Sequence, residues 1–348
     1  MLLAIETSCD ESAAAIFDMP AKPGPYRDSL LAEVVSSQIK LHAAYGGVVP
    51  ELAAREHLKN LPLVVEEVFK LAQVQAEKIS HVAVTYGPGL NICLMIGLAF
   101  AKTFAKSVGA QLLPINHLEG HLRAIHLEYE ASRASYPRLY LLVSGGHTAL
   151  ILESKFRVYD LIAQTRDDAA GEAFDKAGTL LGLEFPGGPQ ISKLAELGNA
   201  AKVPLPIGVK ADPTSFSFSG LKTALRREIE IRGSLTGQDQ ADLAAALQAA
   251  IVTALLNKTE QALRKYHPRQ VILTGGVAAN PSLRAGLELL AGQQLAQFIV
   301  PSRQWCTDNA AMIGACALDL LAAGQTFPDF SVGPTPSLAL EFIQPSAR

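Results

Sequence analysis

The amino-acid sequence predicts an α/β protein built from two related lobes, each a β-sheet covered by helices. The main observation is a repeat: strand, polar or glycine-rich turn, strand, strand, helix, strand, glycine turn and helix occur in this order in each half of the chain. Such alternation of strands and helices favours sheets with helices packed on them. The length of 348 residues and the 49% hydrophobic content indicate a well-buried protein of about two domains.

The first copy of the repeat begins at the N-terminus. Its predicted strands are short, largely apolar runs at residues 2–6, 13–17, 31–36 and 79–85. Pro50 starts a long amphipathic helix, because proline is favoured in the first helical turn. The turn Gly87-Pro88-Gly89 and a helix from about Asn91 complete this copy.

The second copy begins near residue 139. Its predicted strands span residues 139–143, 148–153, 158–164 and 271–274. The turn Ser144-Gly145-Gly146-His147 joins the first two strands, and Gly275-Gly276 follows the last. This copy is longer than the first, and the additional residues predict a mostly helical insertion at about 168–266.

These elements predict the domain boundaries. The N-terminal lobe spans residues 1–138 and is completed by a C-terminal helix at about 306–325, and the C-terminal lobe spans 139–305. A proline-rich tail, 326–348, lies outside the repeat. A duplicated unit of this kind resembles the actin, Hsp70 and sugar-kinase superfamily. That resemblance implies two ribonuclease-H-like lobes with a nucleotide in the interlobe cleft, and it says little about chemistry by itself.

Composition and charge exclude several classes of protein. The net charge of −3 and pI of about 6.3 exclude a strongly basic nucleic-acid-binding surface in bulk. The four cysteines are scattered and form no Cys-x-x-Cys pair, which favours a reducing compartment. The N-terminus lacks the basic region of a signal peptide, and the apolar stretch 90–101 is too short to span a bilayer. We therefore expect a cytoplasmic protein without membrane contact.

The sequence contains a candidate metal site. His117 and His121 are four residues apart, so on a helix both imidazoles lie on one face and can reach one cation. Asp308 precedes an alanine-rich helix and is a candidate third ligand from a distant part of the chain. Two histidines and a carboxylate suit iron or zinc and leave coordination positions for a substrate. The alternative interpretation is a pair of capped or solvated helix histidines.

Four turns are candidates for a nucleotide site: Thr7–Glu11, Gly87–Gly89, Ser144–His147 and Gly275–Asn280. Thr7–Glu11 offers hydroxyls and carboxylates, and Gly87–Gly89 is a rigid turn that suits close approach. The glycines of the other two turns expose backbone N–H groups that can hold a phosphate. Each alone is more typical of an ordinary hairpin, but their corresponding positions in a duplicated fold indicate a nucleotide site. A P-loop and a Rossmann fingerprint are both absent from the sequence.

The segment Asp167–Lys176 is dense in charged residues. Its sequence predicts the start of a helix with carboxylates as caps. Asp175 is a candidate acceptor for ribose hydroxyls, and a solvated helix face shared with Lys176 is the alternative.

Long motifs in a fixed order over residues 1 to about 320 are similar to those of the TsaD family, the catalytic subunit that forms N6-threonylcarbamoyladenosine in tRNA. The motifs are Ile5–Glu11, Gly87–Gly89, His117–His121, Leu142–Thr148, Asp167–Lys176, Phe216–Lys222, Gly275–Asn280 and Cys306–Asn309. The resemblance implies transfer of the threonylcarbamoyl group from threonylcarbamoyl-AMP, which a separate enzyme makes, to the N6 amine of the adenosine 3′ of the anticodon.

The same resemblance assigns roles to residues. The metal ligands it implies are His117, His121 and Asp308, with iron usual in the family and zinc the second candidate. The adenylate-binding positions it implies are Leu142, Val143, Ser144, Gly145, Gly146, Asp175, Gly188 and Asn280. Asp10 or Glu11 is a hypothetical proton acceptor or donor-orienting group, and positioning of the metal through contacts with its ligands is the alternative role. The partners it implies are tRNA together with TsaB and TsaE, as in bacterial relatives, and a homodimer without them is the alternative.

Three rival functions are weighed against this one. A metalloprotease needs a glutamate directly after the first histidine, but Leu118 is there, and Glu119 lies roughly 200° round the helix from His117. A small-molecule kinase of the same superfamily does not need a His-x3-His site. A non-catalytic scaffold that binds a nucleotide does not need a metal triad either.

Overall fold

The computed structural model describes residues 1–20, 24–130, 135–208, 212, 214–327 and 330–340. These residues form two compact units, one of residues 1–130 with 304–340 and the other of residues 135–303. Each contains one β-sheet, so the predicted α/β class is confirmed. Parts of the predicted insertion and tail, at 209–211, 213, 328–329 and 341–348, lie outside the described residues.

The first unit contains a five-stranded sheet in the order β3-β2-β1-β4-β5. Its strands are β1 (Leu2–Glu6), β2 (Glu11–Phe17), β3 (Leu30–Ser37), β4 (His81–Gly87) and β5 (Gln111–Asn116). β1 pairs antiparallel with β2 and β2 with β3, while β4 is parallel to both β1 and β5. The predicted strand 79–85 begins two residues later than expected, because Ala76–Lys78 forms a 3₁₀ turn before it.

The helices of the first unit cover this sheet. They are α1 (Ile39–Ala43), α2 (Pro50–Ala72), α3 (Asn91–Val108), α4 (His117–Arg123) and α10 (Ala310–Ala322). Pro50 occupies the first turn of α2, as predicted. Side chains of α2 and α3 pack with Leu3 and Ile5 of β1 in one apolar core. Successive strand residues point to opposite faces, so Glu6 points away from this core.

The second unit repeats the same strand arrangement. Its sheet has the order β11-β10-β6-β7-β8-β9, formed by β6 (Arg138–Val143), β7 (Thr148–Lys155), β8 (Val158–Thr165), β9 (Ser215–Phe216), β10 (Gln270–Thr274) and β11 (Gln297–Ile299). β6, β7 and β8 are antiparallel neighbours, and β10 is parallel to β6 and β11. The pairing of the first unit therefore recurs, with β9 added at the edge.

The described residues between β8 and β10 are mostly helical. Their helices are α5 (Ala170–Leu180), α6 (Gly187–Ala195), α7 (Ser219–Arg232) and α8 (Gly237–Tyr266), and α9 (Pro281–Gln293) follows β10. Among the described residues, α3 and α8 are long and apolar enough to cross a membrane by length and composition. This is weak evidence for a membrane span, because core helices of soluble proteins meet the same criterion.

Candidate metal centre and anion-binding turns

The predicted histidine pair lies on α4, which begins directly after β5. Asn116 ends the strand and caps the helix, because its side-chain oxygen accepts from the N–H groups of Leu118 at 2.8 Å and Glu119 at 3.3 Å. His117 and His121 follow one turn apart with ring centroids 4.8 Å from each other and planes at 84°. Both histidines are buried, so the solvated-histidine interpretation does not fit.

Asp308 completes this group from the opposite end of the sequence. It lies just before α10, whose first turn is capped by the Asn309 side chain through the N–H of Met312 at 2.7 Å. The carboxylate oxygen Oδ1 of Asp308 is 3.0 Å from Nε2 of His121 and 3.7 Å from Nε2 of His117. The three residues predicted as metal ligands therefore converge.

The residues fit a divalent metal ion. Their ligand atoms all lie within 4.8 Å of one another. Ligand atoms about 2.1 Å from a tetrahedral ion are roughly 3.4 Å apart, close to the spacing around Asp308. Two imidazole nitrogens and one carboxylate oxygen are ligands that iron and zinc both accept. No other group of three or more such side chains is this close in the part of the chain that the structure describes.

A second carboxylate, that of Glu6, contacts His117. Glu6, at the end of β1, is fully buried, and its Oε2 is 3.1 Å from Nδ1 of His117. Burial alone lowers the pKa of His117, but the charges of Glu6 and Asp308 raise it to about 9. Burial likewise raises the pKa of Glu6, and the charge and hydrogen bond of His117 bring it below its usual value. The two carboxylates thus give the site a negative potential that favours a cation.

Asp10 ends the turn between β1 and β2, and Glu11 is the first residue of β2. Asp10 is 7% exposed, whereas Glu11 is half-buried and accepts from the Ser37 hydroxyl at 3.2 Å. Burial raises the pKa of Glu11 well above its ordinary value, and the charges of Asp10 and Asp308 raise it further. The influence of Asp308 places the Glu11 carboxyl in the electrostatic neighbourhood of the metal-ligand group.

Sequence reasoning did not identify two residues that organise this turn. The His57 ring, fully buried on α2, is 2.7 Å from the Ser12 hydroxyl and 2.9 Å from the Cys9 carbonyl. Glu6 was also missed, although a carboxylate at the end of an otherwise apolar buried strand was a usable signal. Burial raises the pKa of the Cys9 thiol well above its usual value, so this thiol stays protonated and is not a reactive thiolate.

In the second unit, the turn after β6 exposes its backbone. The Ser144 N–H donates to the His147 carbonyl at 2.8 Å, and the His147 N–H donates to the Ser144 hydroxyl at 3.1 Å. Within the described residues, the N–H groups of Gly145 and Gly146 donate to no other backbone group. A Cβ atom at either glycine would have no neighbour within 4 Å, so a ligand can approach these N–H groups.

Two further glycines pack against this turn. The Gly171 N–H, in the first turn of α5, donates to the Ser144 carbonyl at 3.2 Å, and a Cβ at Gly171 would lie 2.5 Å from that oxygen. Gly275 follows β10 with a φ of +91°, and a Cβ there would lie 2.4 Å from the Val143 carbonyl. The structure therefore brings the predicted turns Ser144–His147 and Gly275–Asn280 to the same edge of this sheet.

The other predicted adenylate positions also make structural contacts. Asp175 accepts from the Gly187 N–H at 2.8 Å, at the start of α6 and beside Gly188. Asn280 caps α9 through the Leu283 N–H at 3.0 Å and donates to the Gln248 side chain at 2.7 Å. Leu142 and Val143 are fully buried in β6, so only their backbone is available to a ligand.

The prediction that carboxylates cap the helix after Asp167 is wrong. α5 begins at Ala170 and has no side-chain cap. Asp167 instead accepts from the N–H groups of Phe218 at 2.8 Å and Ser219 at 3.2 Å, at the start of α7. Asp168 pairs with Lys176 at 2.7 Å. The cap acts on a helix distant in sequence, a contact that local spacing does not reveal.

Comparisons with known proteins agree with the resemblance that the sequence motifs indicated. The family model TsaD, described as tRNA N6-adenosine threonylcarbamoyltransferase, matches residues 29–315. A protein of that name from Synechococcus sp. (strain JA-3-3Ab) is 45% identical over 344 residues, covering 98% of this chain and 93% of the relative. Another from Anaeromyxobacter dehalogenans (strain 2CP-C) is 46% identical over 337 residues, covering 96% of this chain and 98% of the relative.

Solved structures resemble the fold at much lower identity. The activator of the 2-hydroxyisocaproyl-CoA dehydratase from Clostridium difficile, with bound ADPNP, superimposes with a TM-score of 0.50 at 14% identity, covering 92% of this chain and 93% of the activator. Full-length HypF in its phosphate- and nucleotide-bound form gives a TM-score of 0.56 at 13% identity, covering 92% of this chain and 46% of HypF. These two likenesses concern the fold alone.

Proposed function

Because the chain belongs to the TsaD family of tRNA N6-adenosine threonylcarbamoyltransferases, we propose that it transfers the threonylcarbamoyl group of threonylcarbamoyl-AMP to the adenosine 3′ of the anticodon. Its targets are tRNAs that read codons beginning with A. The observation that carries this proposal is the convergence of His117, His121 and Asp308 within a chain that matches the family over most of its length.

The reaction is an acyl transfer. The N6 nitrogen attacks the carbamoyl carbon, the bond from that carbon to the phosphate oxygen breaks, AMP leaves, and one N6 proton passes to a base. Adenosine N6 is a poor nucleophile because its lone pair is delocalised into the ring. Positioning of the two substrates therefore has to supply much of the rate acceleration.

The residues that would hold the metal are His117, His121 and Asp308. We take iron as the first candidate and zinc as the second. When bound, the ion would act as a Lewis acid toward a carbonyl or phosphate oxygen of the donor. Asn116 and Asn309 support this arrangement, because Asn116 caps the helix that carries both histidines and Asn309 caps the helix that follows Asp308.

The donor's adenylate would bind at the turns of the second unit. The exposed N–H groups of Gly145 and Gly146 suit a phosphate, because successive backbone donors form an anion-binding concavity. Asp175 suits ribose hydroxyls, which carboxylates accept in other nucleotide sites. The close packing of Gly171 on Ser144 holds the turn in place before the ligand arrives.

Glu11 is the better placed of the two candidate proton acceptors. A group that touches the N6 amine has to be reachable, and Glu11 is half-buried while Asp10 is 7% exposed. Burial and the charges of Asp10 and Asp308 raise the pKa of Glu11, and a higher pKa makes its carboxylate a stronger base. Asp10 then acts by raising that pKa and by holding the turn.

The substrate partner is tRNA. We further propose TsaB and TsaE as protein partners, with a homodimer as the alternative assembly. The cytoplasm, where tRNA is modified, is the proposed location.

The test is transfer of labelled threonine from purified threonylcarbamoyl-AMP to unmodified tRNA, with and without TsaB and TsaE and with added Fe²⁺ or Zn²⁺. Wild type should label the tRNA, and His117→Ala should not. Asp319→Asn changes a buried carboxylate outside the metal-ligand group that pairs with Arg123 at the end of α4, so it is the control for a general disturbance of this helix and of folding. Absence of transfer under every condition, with the donor intact, would contradict the proposed function.

A further inference from the structure

We propose that Glu6 is a positioning residue for the metal ligand His117, holding the imidazole so that Nδ1 carries the proton and Nε2 faces the metal. This inference rests on the proposed function, since it assumes the metal site of His117, His121 and Asp308. It concerns a carboxylate that the transfer chemistry described above does not use.

The Glu6 carboxylate is fully buried and receives hydrogen bonds from three directions. Its Oε1 accepts from the Ser8 N–H at 2.5 Å. Its Oε2 accepts from the Thr85 hydroxyl at 2.5 Å and lies 3.1 Å from Nδ1 of His117. A buried carboxylate is costly unless such donors surround it, so these contacts fix both its charge and its orientation.

This arrangement determines which imidazole nitrogen carries the proton. The Ser8 backbone N–H can only donate, so Oε1 is an acceptor, and an ionised carboxylate makes Oε2 an acceptor too. The Ser8 hydroxyl also lies 3.1 Å from Nδ1 of His117, but a hydroxyl can accept as well as donate, so it is compatible with a proton on Nδ1. The Glu6 carboxylate can only accept. In the neutral ring that metal binding requires, His117 therefore donates from Nδ1 and the lone pair is on Nε2. It is this nitrogen that lies 3.7 Å from Asp308, on the side of the other ligands.

Histidines that bind metal commonly donate their second ring nitrogen to a carboxylate. The carboxylate fixes the tautomer and ring orientation and makes the ligating nitrogen more basic. β1 supplies the carboxylate and α4 supplies the histidine, and the two residues are 111 positions apart in sequence. The fold thus places Glu6 where such a partner is needed.

The same unit contains a matched pair for comparison. His126 and Asp319 are also a buried histidine and carboxylate in contact, and Asp319 accepts from the Tyr26 hydroxyl at 2.8 Å as well. Neither belongs to the metal-ligand group among the described residues. Asp319 also pairs with the buried Arg123 at the end of α4, at 3.8 Å. Asp319→Asn therefore removes a buried carboxylate charge that contacts the same helix, but not one that contacts His117.

The experiment measures Zn²⁺ affinity of the full chain by competition with a chromophoric chelator, together with the midpoint of thermal unfolding. The proteins are wild type, Glu6→Gln, Asp319→Asn and His117→Ala. Glutamine has one oxygen for the two N–H donors, so either Ser8 or His117 loses its acceptor. We expect Glu6→Gln to bind Zn²⁺ about 10–100-fold more weakly, and Asp319→Asn to bind it as wild type does.

The outcomes distinguish failure of the proposed role of Glu6 from failure of the proposed metal site. Wild-type affinity in Glu6→Gln, with the expected loss in His117→Ala, would overturn the role of Glu6 alone. Wild-type affinity in His117→Ala would instead overturn the metal site of the proposed function. Equal losses in Glu6→Gln and Asp319→Asn would show a general effect of buried charge and also overturn the inference.

A second measurement uses only the wild-type protein, so it does not depend on whether the Glu6→Gln variant folds. Protein labelled with ¹⁵N-histidine and loaded with Zn²⁺ reports by NMR which nitrogen of each ring binds metal. We expect His117 to bind through Nε2 and to keep a proton on Nδ1. Ligation through Nδ1 would overturn the inference.

Discussion

The Glu33 carboxylate, on the edge strand β3, accepts a hydrogen bond of 2.7 Å from the Ala311 N–H in the first turn of α10. This contact joins the sheet to the helix that begins two residues after Asp308, the proposed metal ligand. Burial raises the pKa of Glu33 from 4.5 to about 7, although the backbone hydrogen bonds oppose the rise. The sheet-to-helix contact therefore titrates near neutral pH.

We predict that Glu33 makes stability fall as pH rises from about 4.5 to 7. Over this range the folded protein retains a proton that the unfolded chain has released, so its free energy of unfolding decreases by up to about 1.4 kcal/mol per pH unit. Glu33→Gln removes this titration while keeping an acceptor for Ala311. Thermal unfolding of wild type and Glu33→Gln should therefore diverge between pH 5 and pH 8.

The control is Glu66→Gln, which changes an exposed glutamate on α2 of the same unit. Its pH dependence should match that of wild type. A parallel pH dependence of wild type and Glu33→Gln would contradict the prediction.

A second prediction concerns Gly171. In Gly171→Ala the new methyl group would lie 2.5 Å from the Ser144 carbonyl oxygen, a backbone atom that cannot rotate away. Either α5 or the Ser144–His147 turn has to move, at a cost of about 1–3 kcal/mol. We expect a lower thermal midpoint and weaker binding of AMP, measured by calorimetry.

Gly220→Ala is the matched control, because Gly220 is also in a helix and a Cβ there would have no neighbour within 4 Å. That substitution should be neutral or stabilising by up to about 1 kcal/mol, since alanine favours helix more than glycine does. Equal effects of the two alanines would show that the contact with Ser144 does not constrain the turn.

The local sequence predicted those parts of the fold that depend on short-range patterns. The alternation in strands such as β1 and the histidine spacing on α4 are visible within a few residues. β5 was missed because Pro114 lowers the expectation of a strand, although an edge strand tolerates proline. β11 was missed because it has only three residues.

In the candidate site, too, only contacts between residues close in sequence were predictable. His117 and His121 share one helix, so their proximity follows from spacing alone. The contact of Glu6 with His117 joins residues 111 positions apart, and that of Asp167 with Phe218 joins residues 51 apart. Such pairs depend on how strands and helices pack against one another, and local residue spacing does not reveal that packing.

A third prediction concerns Asp167 as the cap of α7. It accepts from two backbone N–H groups and from the hydroxyls of Ser217 and Ser219. We expect Asp167→Ala to destabilise the protein by about 1 kcal/mol, and Asp167→Asn, which keeps one oxygen acceptor, by less.

The Asp167 prediction has a pH signature. Partial burial raises the pKa of Asp167, but these hydrogen bonds bring it below its usual 3.8. The stabilisation is therefore present above about pH 4 and lost as pH falls through the lower pKa of the folded state. Thermal unfolding of wild type and Asp167→Ala should converge toward acid pH, and a constant difference would contradict the ionised cap.

The last prediction concerns the tail, to which the sequence assigned no role. In the described residues 330–340, the Thr335 N–H donates to the Tyr86 carbonyl at 2.8 Å and the Pro336 carbonyl accepts from the Gly89 N–H at 3.1 Å. The Ala339 carbonyl accepts from the Asn116 side chain at 3.0 Å, and Asn116 is the cap of the helix that carries both histidines. The tail thus packs against the start of α4, which carries two of the proposed metal ligands.

We expect a chain that ends at residue 327 to unfold at a lower temperature than wild type and to bind Zn²⁺ more weakly. Burial of Leu340 alone contributes about 1.5–3 kcal/mol, and each lost hydrogen bond adds about 1 kcal/mol. The control is a chain that ends at Leu340, which keeps all these contacts. If both truncations unfold at the same temperature, the contacts of residues 330–340 do not stabilise the first unit. If only the shorter chain loses Zn²⁺ affinity, the tail supports α4 through Asn116.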